Sequence, residues 1–208
     1  MELIYVYDAL CGWCYGFTPV MQAFQRKHTD IACSVMSGGM MSNTPASKMA
    51  SYIQQAYHSV EQTTGIKFGQ GFLQGILESP TYIMDSEKPA IALSAFKMLA
   101  PGSAIDFAHD IQVAFNYDGK DLHADETYSN LVHKYGVRED DYLAALHSED
   151  AKNAALTEFK QVQEWGITGF PAVILVTSKQ LYLIARGFTH LENLENVIAK
   201  ITADEGGN

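Results

Sequence analysis

An α/β fold, a small sheet interrupted by a long helical insertion, is predicted by three observations. Residues 1–40 carry a β-α-β pattern. From about residue 42 to 150 the apolar spacing is helical, with no convincing strand. The chain then closes on an α-β-β-α pattern. A length of 208 residues is long for one minimal domain and short for two full ones, which suits a single domain carrying an insertion. Apolar residues make up 47% of the chain, enough for a sizeable core.

Each element has its own signal. Leu3-Ile4-Tyr5-Val6-Tyr7 is a continuous apolar run, the mark of a buried strand. A helix is expected from Cys11 or Trp13, because Phe17, Val20, Met21 and Phe24 share one face. Pro19 lies inside it, lacks an N–H and crowds the Tyr15 carbonyl, so a kink is expected there. Ile31 to Ser37 reads as a second strand, ended by Gly38-Gly39. Two strands joined by one helix imply parallel pairing. In the central block Met49, Tyr52, Ile53 and Ala56 share a helical face, and Ile91, Leu93 or Ala95, Met98 and Leu99 do so less cleanly. A further helix is expected from Ile105 to Asn116. Tyr117-Asp118-Gly119-Lys120 signals a turn, and Asp125 is the expected N-cap of a helix running to Tyr135 and stopping at Gly136.

Asp150 to Trp165 reads as a helix ended by Gly166, with Ala155, Phe159 and Val162 inward. Ala172–Thr177 and Leu181–Arg186 form an expected antiparallel hairpin across Ser178-Lys179-Gln180. Thr189-x-x-Glu192 has the form of a capping box opening a last helix, with Leu191, Leu194, Val197, Ile198 and Ile201 inward and fraying expected from Ala203. Without the central block, the order of elements is that of a thioredoxin fold. The predicted organisation is therefore a discontinuous thioredoxin-fold domain, residues 1–40 and 150–208, with an α-helical insertion at 41–149.

Composition narrows the function. A formal charge of −10 argues against nucleic acid and anionic membrane surfaces, both of which need a basic face. No apolar run approaches the roughly 20 residues of a membrane helix. Met1-Glu2 leads directly into the first strand, with no basic region or cleavage site, so a cytoplasmic location is expected. There are 3 cysteines, and an odd number with one tight pair is not a disulfide framework. In a reducing compartment such a pair is catalytic or metal-binding.

That pair is Cys11-Gly12-Trp13-Cys14, at a strand-to-helix turn. The helix N-terminus presents unpaired N–H groups and positive dipole, a field that favours the thiolate, the nucleophilic form. Cys11, at the exposed start, is the expected nucleophile, and Cys14, one turn in, the resolving thiol. Gly12 lets the turn form without steric cost, and Trp13 offers a stacking surface without a cation. A zinc set of Cys11, Cys14, His28 and Cys33 is the competing reading. It is disfavoured because His28 falls at the far end of a helix about 20 Å long, and Cys33 falls mid-strand. Cys33 itself reads as a small buried apolar residue. Asp8, three residues before Cys11, has two readings: a proton relay to Cys14, or a helix cap. Tyr15 and Phe17 either frame the site or pack in the core; Trp165 reads as core.

Thr168-Gly169-Phe170-Pro171 is the second motif, just before a strand, where proline is permitted. Beside a thioredoxin-type cysteine pair this is the place of a cis-proline. The backbone before it pairs with an extended substrate as an added strand, a role that falls to Phe170.

Together these residues resemble the DsbA family of thioredoxin-fold oxidoreductases. Cys11-Gly12-Trp13-Cys14-Tyr15-Gly16-Phe17, Asp8 before it and Thr168-Gly169-Phe170-Pro171 after it carry the likeness, which is narrower still to the cytoplasmic branch related to FrnE-type proteins. The resemblance implies Cys11 as nucleophile, Cys14 as its partner, Pro171 as the cis-proline, and Gly12, Trp13, Phe170 and Pro171 as the substrate-binding surface. It departs from the family where Gly12 replaces a frequent proline and Trp13 replaces the histidine of the strongly oxidising periplasmic member, which counts against a strong oxidase role.

The expected function is thiol–disulfide exchange with protein, peptide or small-molecule thiols, without metal or organic cofactor, by a monomer or homodimer. Glutathione as a co-substrate stays open. The alternative is a glutathione-dependent transferase or isomerase of the kappa-class or hydroxychromene-carboxylate isomerase type; those relatives carry serine at the first position, where this chain has Cys11.

Overall fold

The computed structural model describes residues 1–206. The chain runs from β1 (Glu2–Tyr7) through α1 (Gly12–Lys27) to β2 (Ala32–Ser37). The insertion then supplies β3 (Thr44–Pro45), α2 (Ala46–Thr64), a π-helical turn at Gly71–Ile76, β4 (Ile83–Met84) and α3 (Glu87–Leu99). It continues with α4 (Ala104–Asn116), α5 (Asp125–Val132) and α6 (Glu139–Leu146). Then α7 (Glu149–Glu164), β5 (Ala172–Val176), β6 (Leu181–Arg186) and α8 (Leu191–Gly206) complete the fold.

The main sheet has the order β2-β1-β5-β6. Strand β1 pairs with β2 in parallel and with β5 antiparallel, so Tyr5 faces Val35 on one side and Val173 on the other. A strand paired on both edges and covered on both faces should read as continuously apolar, and Leu3 to Tyr7 are all buried. Leu3, Tyr5 and Tyr7 point into the main core with Phe17 and Phe24 of α1 and Leu194 and Ile198 of α8. Ile4 and Val6 point the other way, against Val162 of α7, Ile167, Ala172 and Ile174. The main core extends without interruption into the insertion, through Phe96, Phe107 and Tyr142. There the Phe96 and Phe107 rings stack with centroids 4.0 Å apart. No described helix is long and apolar enough to cross a membrane.

Several local expectations are corrected. The central block does contain strand: Thr44 pairs with Met84 and Pro45 with Ile83. Two residues per strand are too few to leave an alternating pattern. Asp125 is not the N-cap of α5. Ala124 holds that position, and the Asp125 carboxylate instead takes the Lys88 ammonium at 2.5 Å and His147 at 2.8 Å. The capping box at Thr189 does not form. The last helix starts at Leu191, and the Asn193 and Leu194 N–H groups bond the His190 carbonyl. Nor does that helix end at Ala203. Glu205 accepts from the Thr177 and Tyr182 hydroxyls at 2.8 and 3.0 Å, and its carbonyl accepts from Lys179 at 2.7 Å. The hairpin thus holds the last turn.

Candidate active site

The turn between β1 and α1 builds the site. Cys11 is itself the N-cap of α1, with extended backbone (φ −82, ψ 112). Its sulfur accepts from the Cys14 N–H at 3.4 Å, and its carbonyl accepts from the Tyr15 N–H at 3.0 Å. The nucleophile candidate thus sits on the orphan donors of the helix terminus, which supply positive potential at the sulfur. The expectation of an exposed Cys11 is corrected: it is buried, 6% exposed, with the Phe170 carbonyl oxygen against its sulfur, and Cys14, one turn in, is fully buried. Burial pushes its thiol well up from the ordinary range, and donation to the Cys11 sulfur pushes it further, against the lowering effect of the Asp8 backbone N–H. Both sulfurs are free thiols.

The Cys14 carbonyl is held from two sides, by the Tyr5 hydroxyl at 3.2 Å and the Thr18 hydroxyl at 2.9 Å. Thr18 also lies 2.7 Å from Gln112 Oε1, across to α4. This polar cluster is completely buried. It ties the first turn of α1 to the insertion, just ahead of the place where Pro19 removes a helical N–H.

Asp8 is 2% exposed. Its Oδ1 accepts from the Leu10 N–H at 3.0 Å and its Oδ2 from the Met40 N–H at 2.8 Å. Burial raises its carboxyl above the ordinary value, and these two N–H groups oppose the rise. The capping reading of Asp8 is therefore corrected: Cys11 caps the helix, and Asp8 joins its own loop to the one after β2.

The distant motif arrives at the same place. The Phe170–Pro171 peptide bond is cis. The Cys11 thiol lies 3.6 Å from the Phe170 carbonyl oxygen, bridging 159 positions of sequence. Pro171 is buried at the mouth of β5, and its carbonyl accepts from the Gly187 N–H at 2.7 Å. Among the described residues, the Thr168, Gly169 and Phe170 N–H groups have no backbone acceptor.

On the other side of Cys11, Gly12 and half-buried Trp13 border an apolar cleft of about 60 Å³ lined by Tyr52, Ile53, Tyr57 and Phe68. A Cβ at Gly12 would lie 3.0 Å from the tip of the Phe68 ring, so any larger residue there would press that ring outward. Tyr15 also borders this region, edge-on to Phe68 at 5.6 Å, whereas Phe17 belongs to the core. Trp165 packs half-buried on the Ile4–Val6 cluster.

The competing zinc set is not assembled, as its disfavoured spacing implied. His28, at the far end of α1, bonds Glu195 at 2.7 Å. Cys33 lies in β2 with its sulfur against the Ile31 carbonyl, and burial holds its thiol up at about 11. Among the described residues no group of three or more His, Cys, Asp or Glu side chains could hold a metal ion.

Four contributors carry no local signal in the sequence. Gly38 looked like a strand terminator, yet it supports the Phe170 ring, which occupies the space its Cβ would take. Phe68, Tyr52 and Tyr57 come from the insertion, and no motif links them to Cys11. A glycine following a strand is too common a signal to have revealed the first.

Residues 2–199 match the family model described as the DSBA-like thioredoxin domain. Comparison with curated proteins gives no match. Among solved structures, a protein of Nitrosomonas europaea described as a "putative protein disulfide isomerase" is 26% identical. The match covers 98% of both chains, with a TM-score of 0.88. The cytosolic disulfide reductase DsbM of Pseudomonas aeruginosa, solved with glutathione, is 23% identical over 98% of both chains, with a TM-score of 0.77. A 2-hydroxychromene-2-carboxylate isomerase shares the fold at 13% identity and a TM-score of 0.67, covering 100% of this chain and 98% of its own.

Proposed function

Because the chain belongs to the DSBA-like thioredoxin domain family, we propose that it is a thiol–disulfide oxidoreductase acting through Cys11 and Cys14. The observation that carries this reading is the convergence on one sulfur. Cys11 caps a helix, accepts the Cys14 N–H at 3.4 Å, and lies 3.6 Å from the carbonyl of the residue before a cis-proline.

The mechanism follows from that geometry. The Cys11 thiolate attacks one sulfur of a substrate disulfide, forming a mixed disulfide and releasing one thiolate. Cys14 then loses its proton and attacks the Cys11 sulfur, releasing the second thiol and closing the Cys11–Cys14 disulfide. The reverse sequence oxidises a dithiol. Substrate backbone pairs with Phe170 beside Pro171 as an added strand, while Gly12 and Trp13 form the opposite wall. Asp8, a buried carboxyl beside the turn, acts as proton acceptor for Cys14. No metal or organic cofactor enters this scheme. Thiols of proteins, peptides or glutathione are the partners, and the cytoplasm is the proposed compartment. DsbM, described as cytosolic and solved with glutathione, supports both choices.

The test is the Cys11–Cys14 equilibrium in a glutathione redox buffer, followed by the fluorescence of Trp13 and Trp165. A potential near about −270 mV identifies a reductase, and one near roughly −120 to −180 mV an oxidant or isomerase. Absence of any transition, together with absence of insulin reduction, would overturn the proposal. Cys11→Ser is expected to abolish exchange. Turnover that survives it would move the glutathione transferase or isomerase reading to first place.

A further inference from the structure

The apolar cleft beside Gly12 and Trp13 has two walls of different character. Phe68 and Phe72 form the first. The chain that carries them is pressed onto the turn after α4: a Cβ at Gly69 or Gly71 would collide with the carbonyl oxygens of Tyr117 and Asp118. The Gly69 N–H also donates to the Asn116 carbonyl at 3.0 Å. Close backbone contact thus fixes this wall. Helix α2 forms the second, through Tyr52, Ile53, Ala56, Tyr57 and Val60. Only Ala46 and Val60 of its 19 residues are fully buried, so this wall can yield. Leu10 and Gly12, the residues on either side of Cys11 in sequence, border the same cleft.

A polar group stands deep in it. Asn116 lines the cleft and is 1% exposed, whereas Tyr52 at the rim is 62% exposed. The Asn116 Nδ2 donates to the Gln112 carbonyl at 3.0 Å and toward the Ala9 carbonyl at 3.5 Å. These two acceptors set the orientation of the amide. Its Oδ1, which can only accept, is buried and has no partner among the described residues. An unmet buried acceptor is costly, and whatever brings it a donor is favoured.

We infer that this cleft is a side-chain pocket selecting a tyrosine next to the reacting cysteine of a peptide substrate, with Asn116 Oδ1 as the acceptor for its hydroxyl. This inference rests on the oxidoreductase reading and narrows its substrate. A cleft of about 60 Å³ takes roughly four or five water-sized spheres, the bulk of one side chain. The apolar lining favours a ring, and the lone acceptor favours a ring with one donor. Tyrosine carries its hydroxyl at the tip, the point that enters deepest. The indole N–H of tryptophan lies on the flank of a wider ring, and phenylalanine brings no donor. Entry of the ring moves α2 outward and uncovers Oδ1. The pocket is one residue from the nucleophile, because Leu10 and Gly12 border it.

The exchange balances. The Cys11 thiolate attacks one sulfur of a peptide disulfide, forming a Cys11–peptide mixed disulfide and expelling a peptide thiolate, which takes a proton from solvent. Cys14 attacks the Cys11 sulfur and expels the second peptide, which takes the proton that Cys14 gives up. The protein dithiol is oxidised by two electrons, and the disulfide is reduced to two peptide thiols.

The experiment uses disulfide dimers of the blocked tripeptides Tyr-Cys-Ala and Ala-Cys-Tyr, and of their phenylalanine counterparts. Each kcat/KM is divided by that for bis(2-hydroxyethyl) disulfide with the same protein. In wild type, tyrosine in one of the two positions is expected to exceed phenylalanine about tenfold. Asn116→Leu keeps the bulk and removes the acceptor, and the ratio of tyrosine to phenylalanine should fall to about one. Equal values in wild type, or a ratio that persists in Asn116→Leu, would overturn the inference. Circular dichroism checks folding. If Asn116→Leu does not fold, Ala56→Leu fills the pocket from α2, and it should lower both aromatic peptides relative to the hydroxyethyl disulfide; no such loss would overturn the inference. A second measurement does not depend on turnover. Calorimetric binding of the S-methylated tripeptides, which cannot exchange, should favour tyrosine by a similar factor. Exchange without that preference rejects the pocket and keeps the oxidoreductase reading. The preference in a protein unable to exchange any disulfide keeps the pocket and rejects that reading.

Discussion

The Phe170 ring lies directly against the backbone of Gly38: a Cβ added to that glycine would sit 2.1 Å from the ring. The two residues come from opposite ends of the chain. The Gly38 N–H is also held, donating to the Tyr7 carbonyl at 2.7 Å. The glycine cannot retreat without breaking that bond, so the ring would have to move. Phe170 bears the carbonyl that meets the Cys11 thiol, so the ring position and the position of that carbonyl are coupled.

Gly38→Ala is therefore expected to destabilise the fold by about 1–3 kcal/mol, the usual cost of overpacking. It should also slow disulfide exchange at saturating denaturant-free conditions. Urea unfolding and insulin reduction measure the two effects. A variant as stable and as active as wild type would show that Phe170 is free to move.

The three thiols should differ sharply in reactivity. Cys14 is buried with its thiol pushed well up, and Cys33 is pushed up to about 11. Cys11, on the helix terminus, is expected to take nearly all the label when the reduced protein meets iodoacetamide at pH 7. Peptide mass spectrometry locates the label. Faster labelling of Cys14 than of Cys11 would reverse the assigned roles.

Asp8 gives a pH dependence with a definite sign. Burial raises its folded-state pKa above the unfolded value, near 3.9. Its contribution to stability is thus fully present below the unfolded pKa and is lost as pH rises through the folded pKa. Asp8→Asn removes that dependence while leaving the Leu10 or Met40 N–H facing an amide NH₂, at a cost of about 1–3 kcal/mol. The stability deficit of Asp8→Asn against wild type should be largest in mild acid and shrink toward pH 8. Urea midpoints across that interval decide it, and a deficit that grows with pH contradicts the assignment.

Thr18→Val keeps the side-chain shape and deletes the hydroxyl between the Cys14 carbonyl and Gln112. Both groups are buried, so the expected loss is about 1–3 kcal/mol. Tyr5→Phe removes one donor from a carbonyl that keeps another, and about 0.5–1.5 kcal/mol is expected. Denaturation of the reduced protein tests the ordering. A smaller loss for Thr18→Val than for Tyr5→Phe would show that the Gln112 contact is not the stronger one.

Legibility in the sequence tracked the range of the interactions. Strand β1, helix α1, the hairpin of β5 and β6, and the Cys11–Cys14 pair all carry their signal within a few residues, through apolar periodicity, turn chemistry or spacing. The caps at Asp125 and Thr189 were misread because capping depends on which donor the side chain finds, and Asp125 found Lys88 and His147. The pairing of Thr44 with Met84 left no trace, since two residues cannot express a period.

What the sequence by itself determined is the order of the main-sheet strands with the helices between them, the Cys11–Cys14 spacing and the proline of Phe170-Pro171, because each is written in neighbouring residues. Only the tertiary structure decided that Asp8 binds Met40, that Gly38 carries Phe170 and that Thr18 meets Gln112. Those partners lie 32 or more positions apart, and no local pattern encodes a contact that exists only once the sheet and the insertion have packed.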